Sequence, residues 1–298
     1  MGRWGTWLAA GLAGIGLAAG ARAADPHSPY YRYQQVQELQ DHALPLIATF
    51  TRGNQILVLA ADKHAGPPGA SRKSALASAF ERTRPVLVIV EGFPTSAGVN
   101  APQLAAEGRA FGSAGADAFA RGESAYAVSL ALLHRVSFMG ADPPAAEERD
   151  TIMSAGYTSE DVMFAFLVRD LEAALHAGEL HGYKDRNLAA VFARCASAES
   201  RALGRPALSL ADFESRYKLQ IHSDLARDPF AGRQADPDMP SMVGRVMQVE
   251  AIAADRHLYN IIMQALASKE RVMVVLSGSR WKALSGPLGT NLGLPGFR

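Results

Sequence analysis

Short apolar runs and longer amphipathic stretches alternate along the chain. Three runs are rich in Val, Ile, Leu and Met, at residues 55–61, 85–90 and 272–276, and a third strand along the chain is predicted around residues 136–139. Continuous runs of this length and composition are typical of strands buried on both faces of a sheet. Helical spacing of apolar residues predicts helices between them, at residues 71–83, 102–110 and 124–134. The alternation predicts an α/β or α+β fold with a central, mostly parallel sheet flanked by helices.

A long helical region separates the third predicted strand from the last one. Its helices are predicted at residues 159–177, 185–203, 209–222 and 241–268, and the capping signature Thr158-Ser159-Glu160-Asp161 opens the first. We therefore expect residues 24–298 to form a single α/β domain with a helical insert at about residues 159–240. The first two strands and the helix between them predict a parallel pair with a right-handed crossover.

The first residues have the pattern of an export signal. Arg3 is the only early charge, residues 7–19 are apolar, and Ala21 and Ala23 occupy the −3 and −1 positions of a cut. The apolar run is shorter than the ~20 residues of a membrane span. Residues 1–23 are predicted to be a cleaved signal peptide, which leaves a periplasmic or secreted protein with no stable membrane span. The alternative is that residues 1–23 stay attached as an uncleaved anchor. A leading helix is predicted separately at residues 30–44.

Charge and cysteine content narrow the function classes. The 298 residues carry a formal net charge of +1 with no basic block, which argues against a nucleic-acid partner. Cys195 is the only cysteine, so the chain forms no internal disulfide and its stability must come from a hydrophobic core. We interpret Cys195 as a small buried residue, because only Arg194 beside it would activate a thiol.

Polar side chains follow the predicted strands at the points where the strands end. His64 and Glu91 follow the first two strands, Asp142 follows the third, and Ser279 and Arg280 follow the last. Ligands of open α/β sheets bind beyond the carboxyl ends of the strands. These side chains are therefore predicted to meet in one partly dehydrated cavity.

Each candidate also has an ordinary structural interpretation. His64 either binds a metal or accepts a proton, or it is a loop histidine bonded to backbone. Glu91 is a general base or metal ligand, or it caps the next helix or pairs with an arginine such as Arg256. Glu123 lies near a helix N-terminus, where negative charge is favoured, so capping alone would explain it. Asp142 either orients a ligand or caps the helix that follows it.

The order of these motifs resembles a known superfamily. The series consists of Asp62-Lys63-His64, Glu91-Gly92, Gly122-Glu123, Gly140-Ala141-Asp142, Asp255-Arg256-His257 and Ser277-Gly278-Ser279-Arg280. It is similar to the TraB/GumN, Tiki and erythromycin-esterase-like superfamily, which also includes haem-binding ChaN-type lipoproteins. The similarity runs from about residue 55 to 288, interrupted by the helical insert.

The resemblance implies a periplasmic hydrolase of peptide or ester bonds, with a small-molecule or peptide substrate. His64 and Glu91 would bind a divalent metal ion (Mn, Co or Zn) that activates a water molecule. By the same resemblance the catalytic residues would be Glu91, His64 and Glu123. Arg256 matches a further polar position of the superfamily, and together with Arg280 and Asp142 it is a candidate substrate-binding residue.

Two positions depart from the Gly-x-x-His motifs of that superfamily. Ala61 stands where the first motif has Gly, and Arg280 stands where the second has His. A guanidinium is a permanent cation and cannot ligate a metal, so the metal site is incomplete. A metal-free esterase with His64 as base and Glu91 or Glu123 as its orienter stays open. A second alternative is a non-catalytic envelope protein that binds haem, or that binds a small anion between Arg280 and Arg256. A third is a structural envelope protein in which the polar residues at the strand ends only form ion pairs.

Overall fold

A five-stranded sheet forms the centre of the molecule. In this computed structural model the described residues are 46–52, 54–62, 70–114, 122–228 and 232–291. The strands are β1 (Leu46–Arg52), β2 (Gln55–Asp62), β3 (Leu87–Pro94), β4 (Ser137–Asp142) and β5 (Arg271–Ser277). Their spatial order is β1-β2-β5-β3-β4. β1 is antiparallel to β2 and the other pairs are parallel, which confirms the predicted mostly parallel sheet.

The last strand of the chain occupies the centre of the sheet. Met273 of β5 pairs with Val58 of β2 on one side and with Val88 of β3 on the other. The prediction that β2 and β3 form a direct pair is therefore wrong, although the two strands run parallel. Residues 272–276 of β5 are all buried, as expected for a strand covered on both faces.

Helices cover both faces of the sheet. On one face α1 (Ala70–Thr83), α2 (Pro102–Ala114) and α3 (Gly122–Leu133) pack on the side chains of Val58, Val88 and their neighbours. On the other face α8 (Met242–Ser268) and α9 (Gly278–Asn291) pack on the side chains of Leu57, Ile89 and their neighbours. Successive strand residues point to opposite faces, so each strand contributes to both cores.

The helical region has a core of its own. It contains α4 (Ala145–Ser154), α5 (Ser159–His176), α6 (Leu188–Leu203) and α7 (Leu210–Ile221). Their apolar side chains and the first turns of α8 share one buried cluster, centred on Phe164, Phe213 and Tyr217. The capping box predicted at residues 158–161 is confirmed, with Thr158 and Asp161 as its members.

Several sequence predictions fall outside the described residues. These are the signal peptide, the helix at residues 30–44, and the loop that contains Lys63 and His64. Within the described ranges, every helix is too short or too polar to cross a membrane. Cys195 is buried, as predicted, and burial raises the pKa of its thiol.

Candidate functional site

A bulge at the end of β3 frees Glu91 from the sheet. Val90 pairs with Gly140 and Pro94 pairs with Asp142, so three residues of β3 oppose one residue of β4. Pairing of β3 with β5 also ends at Val90. Gly92 adopts a φ of 93°, which is accessible to glycine and strained for other residues. Bulges of this kind redirect side chains beside functional sites.

Glycine on the neighbouring strand makes room for this bulge. A Cβ atom added to Gly140 of β4 would lie 2.2 Å from the carbonyl oxygen of Phe93. Only a residue without a side chain therefore allows the two backbones to approach this closely. The Gly140-Ala141-Asp142 segment consequently shapes the place from which Glu91 leaves the sheet.

Glu91 is held by the end of β5 and the start of α9. Its Oε2 accepts a hydrogen bond from the Ser277 backbone N–H at 2.6 Å, and its Oε1 accepts one from the Ser277 hydroxyl at 3.3 Å. The Arg280 Nε lies 3.2 Å from the same Oε1. On the α3 side, the Ser124 hydroxyl donates to the Glu91 carbonyl oxygen at 3.0 Å. Glu91 is thus a rigidly held carboxylate with a cation beside it.

Arg280 lies among three carboxylates from three different elements. Besides Glu91, its Nη1 is 2.9 Å from Oδ1 of Asp142 on β4, and its Nε is 3.8 Å from Oδ1 of Asp255 on α8. The Arg280 side chain is only 17% exposed. Burial opposes the positive charge, but the carboxylates of Glu91, Asp142 and Asp255 outweigh it and raise the pKa of Arg280. The predicted convergence is therefore observed for Glu91, Asp142 and Arg280.

Asp255 completes this group and was not among the sequence candidates for the site. Burial raises the pKa of its carboxyl group to about 7, the negative charge of Glu91 adds to the rise, and Arg280 opposes it. A carboxyl group with a pKa close to neutrality can both take up and release a proton under ordinary conditions. The sequence places Asp255 on a helix but does not show which face of that helix meets the sheet.

The other predicted site residues lie at different places. Glu123 is in the first turn of α3 and is buried. Arg256 is exposed and lines a cleft between α4 and α8, on a different side of α8 from Asp255. Asp142 does not cap α4, because Pro144 occupies the N-cap position without a side-chain bond, and the Asp142 carboxylate pairs with Arg280 instead. We refer below to Glu91, Asp142, Asp255 and Arg280 as the Arg280 cluster.

The described residues do not fit the divalent metal ion implied by the sequence resemblance. A guanidinium 3.2 Å from Glu91 would repel a second cation in the same space. Within the described part of the chain, no group of three or more His, Cys, Asp or Glu side chains is arranged to hold a metal. Arg280 supplies the positive charge at this position.

Comparison of the chain with protein-family models, with curated proteins and with solved structures found no match. Membership of the superfamily named above therefore stays a prediction from the sequence motifs.

Proposed function

We propose that this chain is an exported hydrolase of ester or peptide bonds that works without a metal ion. The observation that carries the proposal is the Arg280 cluster, in which charged side chains from β3, β4, α8 and α9 meet at the carboxyl edge of the sheet. Binding sites of open α/β sheets lie at this edge. Half-buried groups of opposite charge with a shifted pKa are typical of catalytic sites.

In the proposed reaction Asp255 acts as the general base. Its ionised carboxylate accepts a proton from a water molecule, and the water oxygen bonds to the carbonyl carbon of the substrate. The bond to the leaving group then breaks, and the leaving alcohol or amine takes the proton from Asp255. Arg280 is a positioning residue that fixes Glu91 and Asp142 by ion pairing.

The charge balance of the cluster argues against a small anion as its ligand. One guanidinium faces three carboxylates, so the positive charge of Arg280 is already more than balanced. An anion placed beside it would meet net negative charge. Arg256, the other cation considered for such a ligand, lines the cleft between α4 and α8. This observation favours a neutral or cationic substrate.

Hydrolysis assays on the full chain, dialysed against EDTA, test the proposal. Fluorogenic peptides are the substrates, and initial rates give kcat/KM. Loss of a general base costs about 100-fold or more, which is the decrease expected for Asp255→Asn. The matched control is Asp238→Asn, because Asp238 is a partly buried carboxyl with a raised pKa in the connection before α8.

The control variant should hydrolyse the substrates as fast as the wild type. Circular dichroism and thermal unfolding of both variants separate loss of chemistry from loss of structure. Equal kcat/KM for wild type and a folded Asp255→Asn variant would contradict the proposed role of the cluster.

A further inference from the structure

A hydroxyl, an imidazole and a carboxylate form a continuous hydrogen-bonded row next to the Arg280 cluster. The Thr95 Oγ1 lies 3.0 Å from Nε2 of His257. The Nδ1 of the same ring lies 3.3 Å from Oε1 of Glu147. Thr95 follows β3, His257 is on α8 and Glu147 is in the first turn of α4. Three separate elements thus bring these side chains together.

The order of the groups defines what the row can do. With the Nδ1–H donating to Glu147, the Nε2 lone pair accepts the hydroxyl proton of Thr95. A carboxylate that orients an imidazole, which in turn accepts the proton of a hydroxyl, is the arrangement that activates serine and threonine nucleophiles. The His257 side chain is 13% exposed, so its ring is held largely out of solvent, whereas Glu147 is 56% exposed.

The two ends of the row have different surroundings. His257, Glu147, Arg256 and Asn260 help to line a cleft of about 90 Å³ between α4 and α8. At the other end of the ring, Thr95 is followed by residues 96–100, all of them exposed. A substrate can therefore approach the Thr95 hydroxyl from solvent.

We propose that Thr95 is an acyl-accepting nucleophile, with His257 as its base and Glu147 as the positioning carboxylate. His257 Nε2 removes the hydroxyl proton while Thr95 Oγ1 bonds to the carbonyl carbon of an activated ester, and the bond from that carbon to the oxygen of the leaving alcohol breaks. The leaving alcohol takes the proton from Nε2, and Thr95 is left as an O-acyl ester. Water then releases the acid and restores the hydroxyl. This activity does not depend on the function proposed for the Arg280 cluster.

Acid-quenched reactions with p-nitrophenyl acetate test this inference on the full chain. Peptide mass spectrometry should find an acetyl group on Thr95 in the wild type and in Thr95→Ser. The adduct should be absent from Thr95→Val, which keeps the shape and lacks the hydroxyl. His257→Gln should acylate about 100-fold more slowly or worse, because the general base is lost. Glu147→Gln should also slow acylation.

Ser96→Ala is the matched control, because Ser96 carries the next hydroxyl along the exposed segment. It should acquire the acetyl group at Thr95 as fast as the wild type does. Failure to find acetyl-Thr95 in the wild type, or equal acylation rates in the wild type and a folded His257→Gln variant, would overturn the inference. The comparison of Thr95→Ser with Thr95→Val decides the question should His257→Gln not fold.

Discussion

Burial acts in opposite directions on the charged forms of Arg280 and Asp255. It lowers the pKa of a guanidinium and raises that of a carboxyl group, since both effects disfavour charge. Arg280 keeps its charge because two carboxylates lie within 3.2 Å of it. Asp255 is 3.8 Å from the same guanidinium and close enough to Glu91 to feel its negative charge, so burial prevails and its pKa rises. The two residues therefore differ in role, one a fixed cation and the other a group that exchanges protons.

This difference predicts the pH dependence of stability. The pKa of Asp255 is about 7 in the folded protein and starts from 3.8. The folded state favours the protonated form of Asp255. The contribution of this preference to the free energy of unfolding is therefore complete below pH 3.8 and is lost as pH rises towards 7. The loss amounts to at most about 4 kcal/mol. Asp255→Asn cannot ionise, so urea unfolding from about pH 4 to about pH 8 should show a smaller loss of stability than in the wild type.

The effect of Asp255 is obtained by subtracting the unfolding free energy of Asp255→Asn from that of the wild type at each pH. Burial also raises the pKa of Glu172 to about 7 and that of Glu148 to about 8, and both groups remain in the variant. Their contributions cancel when the two unfolding free energies are subtracted. Parallel pH curves for wild type and variant would show that Asp255 ionises in the folded protein as it does in the unfolded chain.

The bulge in β3 is the local structure on which the site depends. It lifts Glu91 out of the ladder, and the missing side chain of Gly140 lets the bulge pack against β4. A Cβ 2.2 Å from the Phe93 carbonyl oxygen cannot be accommodated without moving backbone. The position of Glu91 relative to Ser277 and Arg280 is thus set by a residue that contacts none of the charges.

Gly140→Ala should therefore impair both stability and hydrolysis. Overpacking of this kind costs about 1–3 kcal/mol, measurable as a lower urea midpoint. The displaced Glu91 should lower kcat/KM as well. Gly98→Ala provides the control, since a Cβ there meets nothing within 4 Å, and hydrolysis should be unchanged although its φ of +83° strains alanine. A Gly140→Ala protein with wild-type stability and rates would refute the importance of the close approach.

Sequence patterns predicted where the strands lie along the chain better than they predicted which strands pair in the sheet. The apolar runs located β2, β3 and β5, because strands buried on both faces consist almost entirely of apolar residues. β1 was not predicted, because in residues 46–52 polar and apolar positions are mixed, as in an edge strand with exposed Thr49 and Thr51. The insertion of β5 between β2 and β3 depends on pairing across more than 180 residues of chain, which no local pattern records.

The same limit applies to the candidate site. Glu91, Asp142 and Arg280 could be predicted because the carboxyl ends of parallel strands meet at one edge of a sheet. Asp255 and the Thr95–His257–Glu147 row could not, since helix packing decides which side chains face the sheet. The role of His64 stays a prediction, because that residue lies outside the described part of the chain.

At the scale of the whole molecule, α8 connects the two parts of the fold. Its first turns, with Met242 and Val246, belong to the core of the helical region. Its later turns, with Leu258 and Ile262, pack on the sheet. Asp255 and His257 lie between these two packed segments, so both proposed sites depend on a helix that is anchored at each end. The helical region therefore helps to position Asp255 and His257 through its packing on the first turns of α8.

Metal dependence of hydrolysis distinguishes the Arg280 cluster from the metal site that the sequence resemblance implies, because the Arg280 guanidinium supplies the positive charge where a metal ion would otherwise bind. The rate of peptide hydrolysis is measured for the full chain after dialysis against EDTA, and again after addition of Mn²⁺, Co²⁺ or Zn²⁺. We expect an active metal-free protein whose rate changes by less than about twofold on adding any of the three ions. A protein that is inactive in EDTA and gains about tenfold or more with one of them would refute metal-free hydrolysis by this chain.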